Sequence, residues 1–328
     1  NENLGALEFY TGTEWRAVNS YIDSGNRGRG LFAGGRCPAF TASIGYIEIA
    51  TLGNSEYFGD LQQARESASN NVASSTRGLF AGGYHPGGAD DEIGYVTIAS
   101  EGNAIDFGNL SAEKYSPGGG SSSTRGIFAG GSPATNVIEY VEINTLGNAV
   151  DFGDLVTGRR YPSGLASPTR ACFAAGTGSS SPYPPFNIID YITIASTGNA
   201  VKFGELTATQ IAVGGCSNQV RGLYHIGTNS WSPTWNSLNQ VEYITIASEG
   251  NATNFGELTV ARHYTGAVSS GVRGVFGGGF TGPSTTRYNT IDFVLIASLG
   301  NAQDFGDLME NRTASGTVCD SHGGLGGF

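Results

Sequence analysis

One feature constrains this chain more than any other: a segment typified by Arg77 to Leu110 occurs six times. It opens with Arg-Gly-Leu-Phe-Ala-Gly-Gly, passes through Ile-Gly-Tyr-Val-Thr-Ile-Ala-Ser and ends in Asn-Ala-Ile-Asp-Phe-Gly-Asn-Leu. The opening arginines are Arg29, Arg77, Arg125, Arg170, Arg221 and Arg273, 45 to 52 residues apart. Within every copy an aromatic residue (Tyr46, Tyr95, Tyr140, Tyr191, Tyr243 or Phe293) precedes a phenylalanine by 12 residues. A period of this length belongs to propeller blades or solenoid turns.

Each copy resolves into short strands. Arg-Gly-Leu-Phe-Ala ends at glycines, which allow left-handed backbone or close approach. The following Ile-x-Tyr-Ile-Thr-Ile is apolar on both faces, as in a sheet covered on both sides. A Gly- and Asn-rich turn leads to a strand holding Asp-Phe-Gly-Asp-Leu. Between copies lie small-residue stretches such as Val72–Ser75, Ser121–Ser123, Leu165–Ser167 and Val268–Ser270. Their lack of bulk suits strands converging on an axis. Four antiparallel strands per copy, a to d from the inside outwards, make an all-β propeller blade.

The apolar run ending in Gly-Gly (Gly34-Gly35, Gly82-Gly83, Gly130-Gly131, Gly278-Gly279) and the spaced aromatics resemble the kelch repeat. Ala175-Gly176 and Ile226-Gly227 depart from the diglycine, and phenylalanine stands where kelch repeats carry tryptophan. The resemblance implies a propeller fold and carries no catalytic residues. A single domain over residues 1–328 is expected, with blades 1–6 over approximately 20–308. Residues 7–18 read as a hairpin about Thr11-Gly12-Thr13, and 313–328 as strands a and b. Joined, the two ends are expected to form a seventh blade, its strands c and d from 7–18. Such closure would remove exposed edges.

Composition narrows function. Net charge is −11 and only Lys114 and Lys202 are lysines, which excludes the basic stripe a nucleic-acid partner requires. No apolar run approaches the roughly 18 residues of a membrane helix, so no membrane insertion is expected. Cys37, Cys172, Cys216 and Cys319 form no CxxC pair, which sets metal and redox motifs aside. The last three are expected to be buried free thiols. The chain begins at Asn1 without a signal-like segment, as a piece excised from a longer protein would.

The motifs that carry chemistry elsewhere read as structural here. Asp-Phe-Gly recurs at one repeat position without kinase context. Asp90-Asp91-Glu92 reads as a solvated acidic loop rather than a calcium site. No histidine is paired with a nucleophile. The recurring arginines, beside recurring acids in strand c (Glu48, Glu139, Asp190, Glu242, Asp292), are expected to be buried ion pairs between strands or blades.

The remaining signal lies in the b–c loops. From the second glycine to the strand-c aromatic they run 11, 12, 9, 15, 16 and 14 residues, whereas the c–d span is constant. Variable loops on a constant scaffold are where repeat proteins bind. They collect Tyr84, His85, Tyr183, Phe186, Trp231, Trp235, Phe280 and Tyr288, aromatics suited to sugars or a protein partner. The segment Leu-Glu-Phe-Tyr-Thr-Gly-Thr-Glu-Trp-Arg-Ala-Val at residues 7–18 resembles bacteriophage virion proteins, tail fibres and similar appendages. That resemblance implies a non-enzymatic virion module, without cofactor, that contacts a host-surface glycan or another virion protein, and that is oligomeric as part of a larger virion protein. A purely structural ring in a head or tail, or a carbohydrate-active enzyme, are the alternatives.

Overall fold

The computed structural model describes residues 8–10, 15–17, 28–67, 70–180, 183–211, 213–230, 235–282 and 286–325. The repeat folds into four-stranded antiparallel blades, typified by blade 3. There strand a (Gly118–Ser121) pairs with b (Arg125–Ala129), b with c (Thr135–Glu142), and c with d (Val150–Arg159). Blades 4, 5 and 6 repeat this order, and in blade 2 the inner position is held by a single bridge, Ala73 to Gly78.

Blade 1 takes its strand a from the other end of the chain. Gly316–Cys319 pairs antiparallel with Arg29–Ala33, Val318 opposite Leu31. This corrects the expected seven blades to six. Residues 316–319 do form a strand a, but they complete the first blade rather than open a seventh. Gly323–Leu325 is a 3₁₀ turn, not a strand b. The hairpin at the start is present, Glu8–Tyr10 against Trp15–Ala17, and its strands pair only with each other among the described residues.

Apolar side chains on both faces of each blade pack between neighbours. Among the described residues six buried clusters result, each shared by consecutive blades. One joins Leu31, Ile44 and Phe58 of blade 1 to Phe80, Val96 and Ile98 of blade 2. Another closes the ring, setting Val275 and Phe305 of blade 6 against Phe32 and Ile47 of blade 1. Cys172, Cys216 and Cys319 are free and buried in these walls.

Two polar seams recur at every junction, and a third, of buried ion pairs, at four of the six. In the first, the Gly-Asn-Ala turn of one blade docks on the Phe-Gly-Asp strand of the blade before. Gly102 N donates to Phe58 O (2.9 Å), and Asp60 N donates to Asn103 Oδ1 (3.0 Å). A side chain on Gly59 would overlap the Gly102 carbonyl, as one on Gly108 of Asp106-Phe107-Gly108 would overlap that of Gly147, so the Asp-Phe-Gly glycine serves close backbone approach. The same contacts join Gly53 to Phe305 and Asn54 to Asp307 across the closure.

The second seam is the arginine that opens strand b. Its guanidinium lies 4.5–4.9 Å over the strand-c ring of its own blade, as Arg125 does over Tyr140. It then donates to carbonyls of the next blade: Arg125 Nη1 to Ile194 O and Ala195 O, and Arg273 Nη1 to Ile49 O and Ala50 O. The link between blades is as expected, but its acceptors are backbone oxygens and the side chains are half-buried. Carboxylates join only at Arg29–Glu48 and Arg125–Glu142 among the described residues. Arginine suits the place because one planar head can stack and donate at once.

The buried ion pairs belong to a third seam. A cation at the end of strand d, or just after it, reaches a carboxylate on strand c of the following blade: Arg65 to Asp90, Lys114 to Glu139, Arg159 to Asp190 (2.8 Å) and Arg262 to Asp292 (2.9 Å). Three of these arginines also donate to a strand-b carbonyl of that blade, at Phe80, Phe173 and Phe276. Blades 1 and 2 have Gly45 and Gly94 where the other four carry the acid; blade 2 supplies Asp90 from further back along strand c, whereas in blade 1 Arg312 donates to Phe32 O, Gly34 O and Ser43 instead. At blade 5, Gln210 replaces the cation and Thr207 binds Glu242.

Two outcomes follow. A chain ended at Ser315 lacks strand a of blade 1 and bares the edge of Arg29–Ala33. It should aggregate or melt far below the full chain, and a monomer with an unchanged melting curve would refute closure by this strand. Arg159→Ala strands a buried carboxylate and should cost about 3–5 kcal/mol. Arg125→Ala, at a partly exposed seam, should cost about 1–2 kcal/mol. Equal losses in denaturant melts would contradict this ordering.

Candidate functional site

Small inner strands leave an axial channel, and the chain fills much of it. Asn71 reaches across, its Nδ2 donating to Gly164 O (2.9 Å) and Gly215 O (2.6 Å). The face carrying the a–b and c–d turns is stoppered by residues 320–325. Asp320 Oδ1 accepts from Gly28 N and Arg29 N. His322 lies buried against blades 2 and 3, its Nε2 3.0 Å from Ala73 O and 3.2 Å from Ser121 Oγ. Its Nδ1 accepts from Gly324 N (3.1 Å), so the ring is neutral with its proton on Nε2.

The opposite face stays open. There the residue after each strand-d cation, or after Gln210 in its place, bridges to the b–c loop of the next blade: Glu66 to Tyr84, Tyr115 to Ser132, Arg160 to Thr177, Ile211 to Thr228, His263 to Phe280 and Thr313 to Arg36. These six bridges form a collar about the axis. One residue further on, the chain turns inwards through left-handed backbone at Ser67, Ser116, Tyr161, Tyr264 and Ala314 (φ 51–59°). For tyrosine this conformation is strained, and such strain gathers at binding sites.

Within the collar lies a pocket of about 340 Å³, whose floor narrows to a 40 Å³ neck beside Asn70, Pro117 and Pro162. One side is an arc of rings in successive contact: Tyr84–Tyr115 (5.3 Å), Tyr115–Tyr161 (5.9 Å), Tyr161–Tyr264 (5.9 Å) and Tyr264–Phe280 (5.9 Å, nearly parallel). Trp235 completes it, stacked on His263 at 4.9 Å. Burial pushes the Tyr161 and Tyr264 phenols well up, so both stay protonated, and pushes His263 down to about 4, leaving it neutral. The polar wall holds Arg36, Arg287 and Glu66. Burial raises the Glu66 carboxyl, while Arg36 and Arg287 pull it back.

Of the residues singled out from sequence, Trp235 and Phe280 line this pocket. Tyr84 stands behind it, against Phe40 and Tyr115. Tyr183 lies under Arg160, Phe186 begins a strand of blade 4, and Tyr288 meets Thr281 Oγ1. His85 closes the blade 2 hairpin through Gly87 N. Trp231 lies outside the described residues. The b–c loops therefore supply only half the wall. Tyr115, Tyr161 and Tyr264 come from the d–a connections, and their signal was the repeated pattern of a strand-d cation followed within two residues by an aromatic or small residue. Asp90, Asp91 and Glu92 lie in strand c of blade 2 rather than in the solvated loop expected; Asp90 is committed to Arg65, and Asp91 accepts from Asn109.

No protein-family model matches the chain, and no curated protein matches it either.

The stopper predicts a pH effect. The unfolded His322 imidazole takes a proton near 6.5, whereas burial holds the folded one down to about 4. Between these values the unfolded state binds more protons, so this group's contribution, full above 6.5, is lost as pH falls. The stability advantage of wild type over His322→Gln should therefore shrink between pH 7 and pH 4.5 in urea melts. A pH-independent difference would show that the imidazole is not buried neutral.

Proposed function

We propose that this protein is a non-enzymatic binding module that receives a glycan or a partner's side chains in the axial pocket of the b–c and d–a face. The observation that carries this is the aromatic arc beside a polar wall in a 340 Å³ recess. Flat rings next to hydrogen-bonding groups suit the apolar faces and hydroxyls of sugars. The volume falls at the lower end of the range for small-molecule sites. Glu66 is the only carboxylate lining the pocket among the described residues, and ordinary glycoside hydrolysis uses two. That favours binding over catalysis.

The setting is proposed on resemblance. The diglycine pattern supports a kelch-like ancestry, and residues 7–18 support a place on a phage virion, as an appendage that meets a host-surface glycan or a neighbouring virion protein.

A glycan array probed with the full chain tests the reading. Trp235→Ala should weaken attachment by about 2 kcal/mol, as a central contact does, with a smaller loss of stability from its ring contacts with His263, Tyr264 and Phe280. Unchanged attachment together with a large fall in melting temperature would make Trp235 packing alone and move the binding face elsewhere.

A further inference from the structure

Arginine is used sparingly and consistently in this fold. The strand-b arginines are committed to carbonyls, and the four strand-d arginines to carboxylates or carbonyls. Arg36 and Arg287 break the pattern. They come from the b–c loops of adjacent blades, 1 and 6, and both line the pocket. Among the described residues neither guanidinium has a carboxylate within 4 Å. Arg36 lies only over the Phe40 ring (4.8 Å). Arg287 Nε is shut from solvent without an acceptor, as are the Nε atoms of Arg65, Arg159, Arg160, Arg262 and Arg312, but of these arginines only Arg287 lines the pocket. Glu66 is near enough for both to influence it, yet it is bonded to neither.

We propose, building on the reading of this pocket as a binding site, that its ligand is an acidic saccharide whose ring carboxylate is held between Arg36 and Arg287. Guanidinium presents a planar fork that matches a carboxylate, often with two parallel hydrogen bonds. Two arginines and one glutamate leave a single positive charge in the recess. A monoanionic carboxylate balances that charge, whereas a phosphate dianion would exceed it. Glu66 then accepts from sugar hydroxyls, and Trp235 and Tyr264 lie against the apolar ring face. A chain carrying a net charge of −11 repels acidic polymers in general. Two arginines without a carboxylate partner in the axial pocket thus select an anion locally against the global field.

The test uses the full chain with oligogalacturonate, its neutral methyl ester and a sulfated galactose oligomer, with affinities read by calorimetry. The acid should bind and the ester should be at least about tenfold weaker, the worth of one charge-assisted hydrogen bond. Arg287→Gln and Arg36→Gln should each lose about tenfold for the acid and little for the ester, with melting curves confirming the fold. Equal binding of acid and ester, or preference for the sulfated sugar, overturns the carboxylate assignment. If Trp235→Ala still abolishes binding in that case, the pocket itself stands as the binding site. If none of the three saccharides binds, the inference falls, and the glycan array decides separately whether the pocket reading falls with it. Should either arginine variant misfold, the acid–ester comparison on wild type decides alone.

Discussion

Every blade of this protein is incomplete without the one beside it. The constraint that makes it so is the close approach of two backbones at each junction, where a Gly-Asn-Ala turn lies across the Phe-Gly-Asp strand of the preceding blade. Glycine on one side admits the carbonyl, and asparagine on the other accepts the amide that strand d would otherwise leave to water. The rest scales from this contact. It sets the spacing at which phenylalanine rings fill the gap between sheets, and at which a strand-d arginine just reaches the next blade's carboxylate. A change in blade number would alter all three seams at once, which is why six repeats close as six blades.

Much of this was legible in the residues. The constant twelve-residue step between aromatics marks strands c and d, and each of those ring pairs meets edge to face at about 6 Å. The recurring arginine and the recurring acids were visible too, but their pairing was not. Both occur once per period, so sequence alone cannot say which arginine faces which acid. Strand b and strand d each supply a cation, and only the direction of the strands separates them. The blade count went astray for a related reason. A strand a at residues 316–319 needs a strand b, and the glycine-rich segment just after it read as one, whereas its partner is the edge of Arg29–Ala33 at the far end of the chain.

The pocket was half legible because it draws on departures from the repeat rather than on the repeat. Long b–c loops announced Trp235 and Phe280. The tyrosines of the d–a connections did not stand out, since an aromatic residue in a glycine-rich chain is ordinarily core. What makes Tyr161 and Tyr264 different is backbone hand, which turns them towards the axis and which no side-chain pattern encodes. Six-fold scaffolding thus builds a collar, and the individual identities within it build a recess with one aromatic and one charged side.

The strand that completes blade 1 also orders events in time. Asp320 and Gly28 meet across 292 residues of chain, so the contact order of the finished ring is high and closure is slow relative to the blades. During synthesis from the N-terminus, blades 2 to 5 can pack as they emerge, each on its predecessor. Blade 1 must wait, with an unpaired inner edge, until Cys319 has left the ribosome. The nascent ring is therefore an open arc until residues 316–319 are made, and the inner edge of Arg29–Ala33 stays unpaired through that interval.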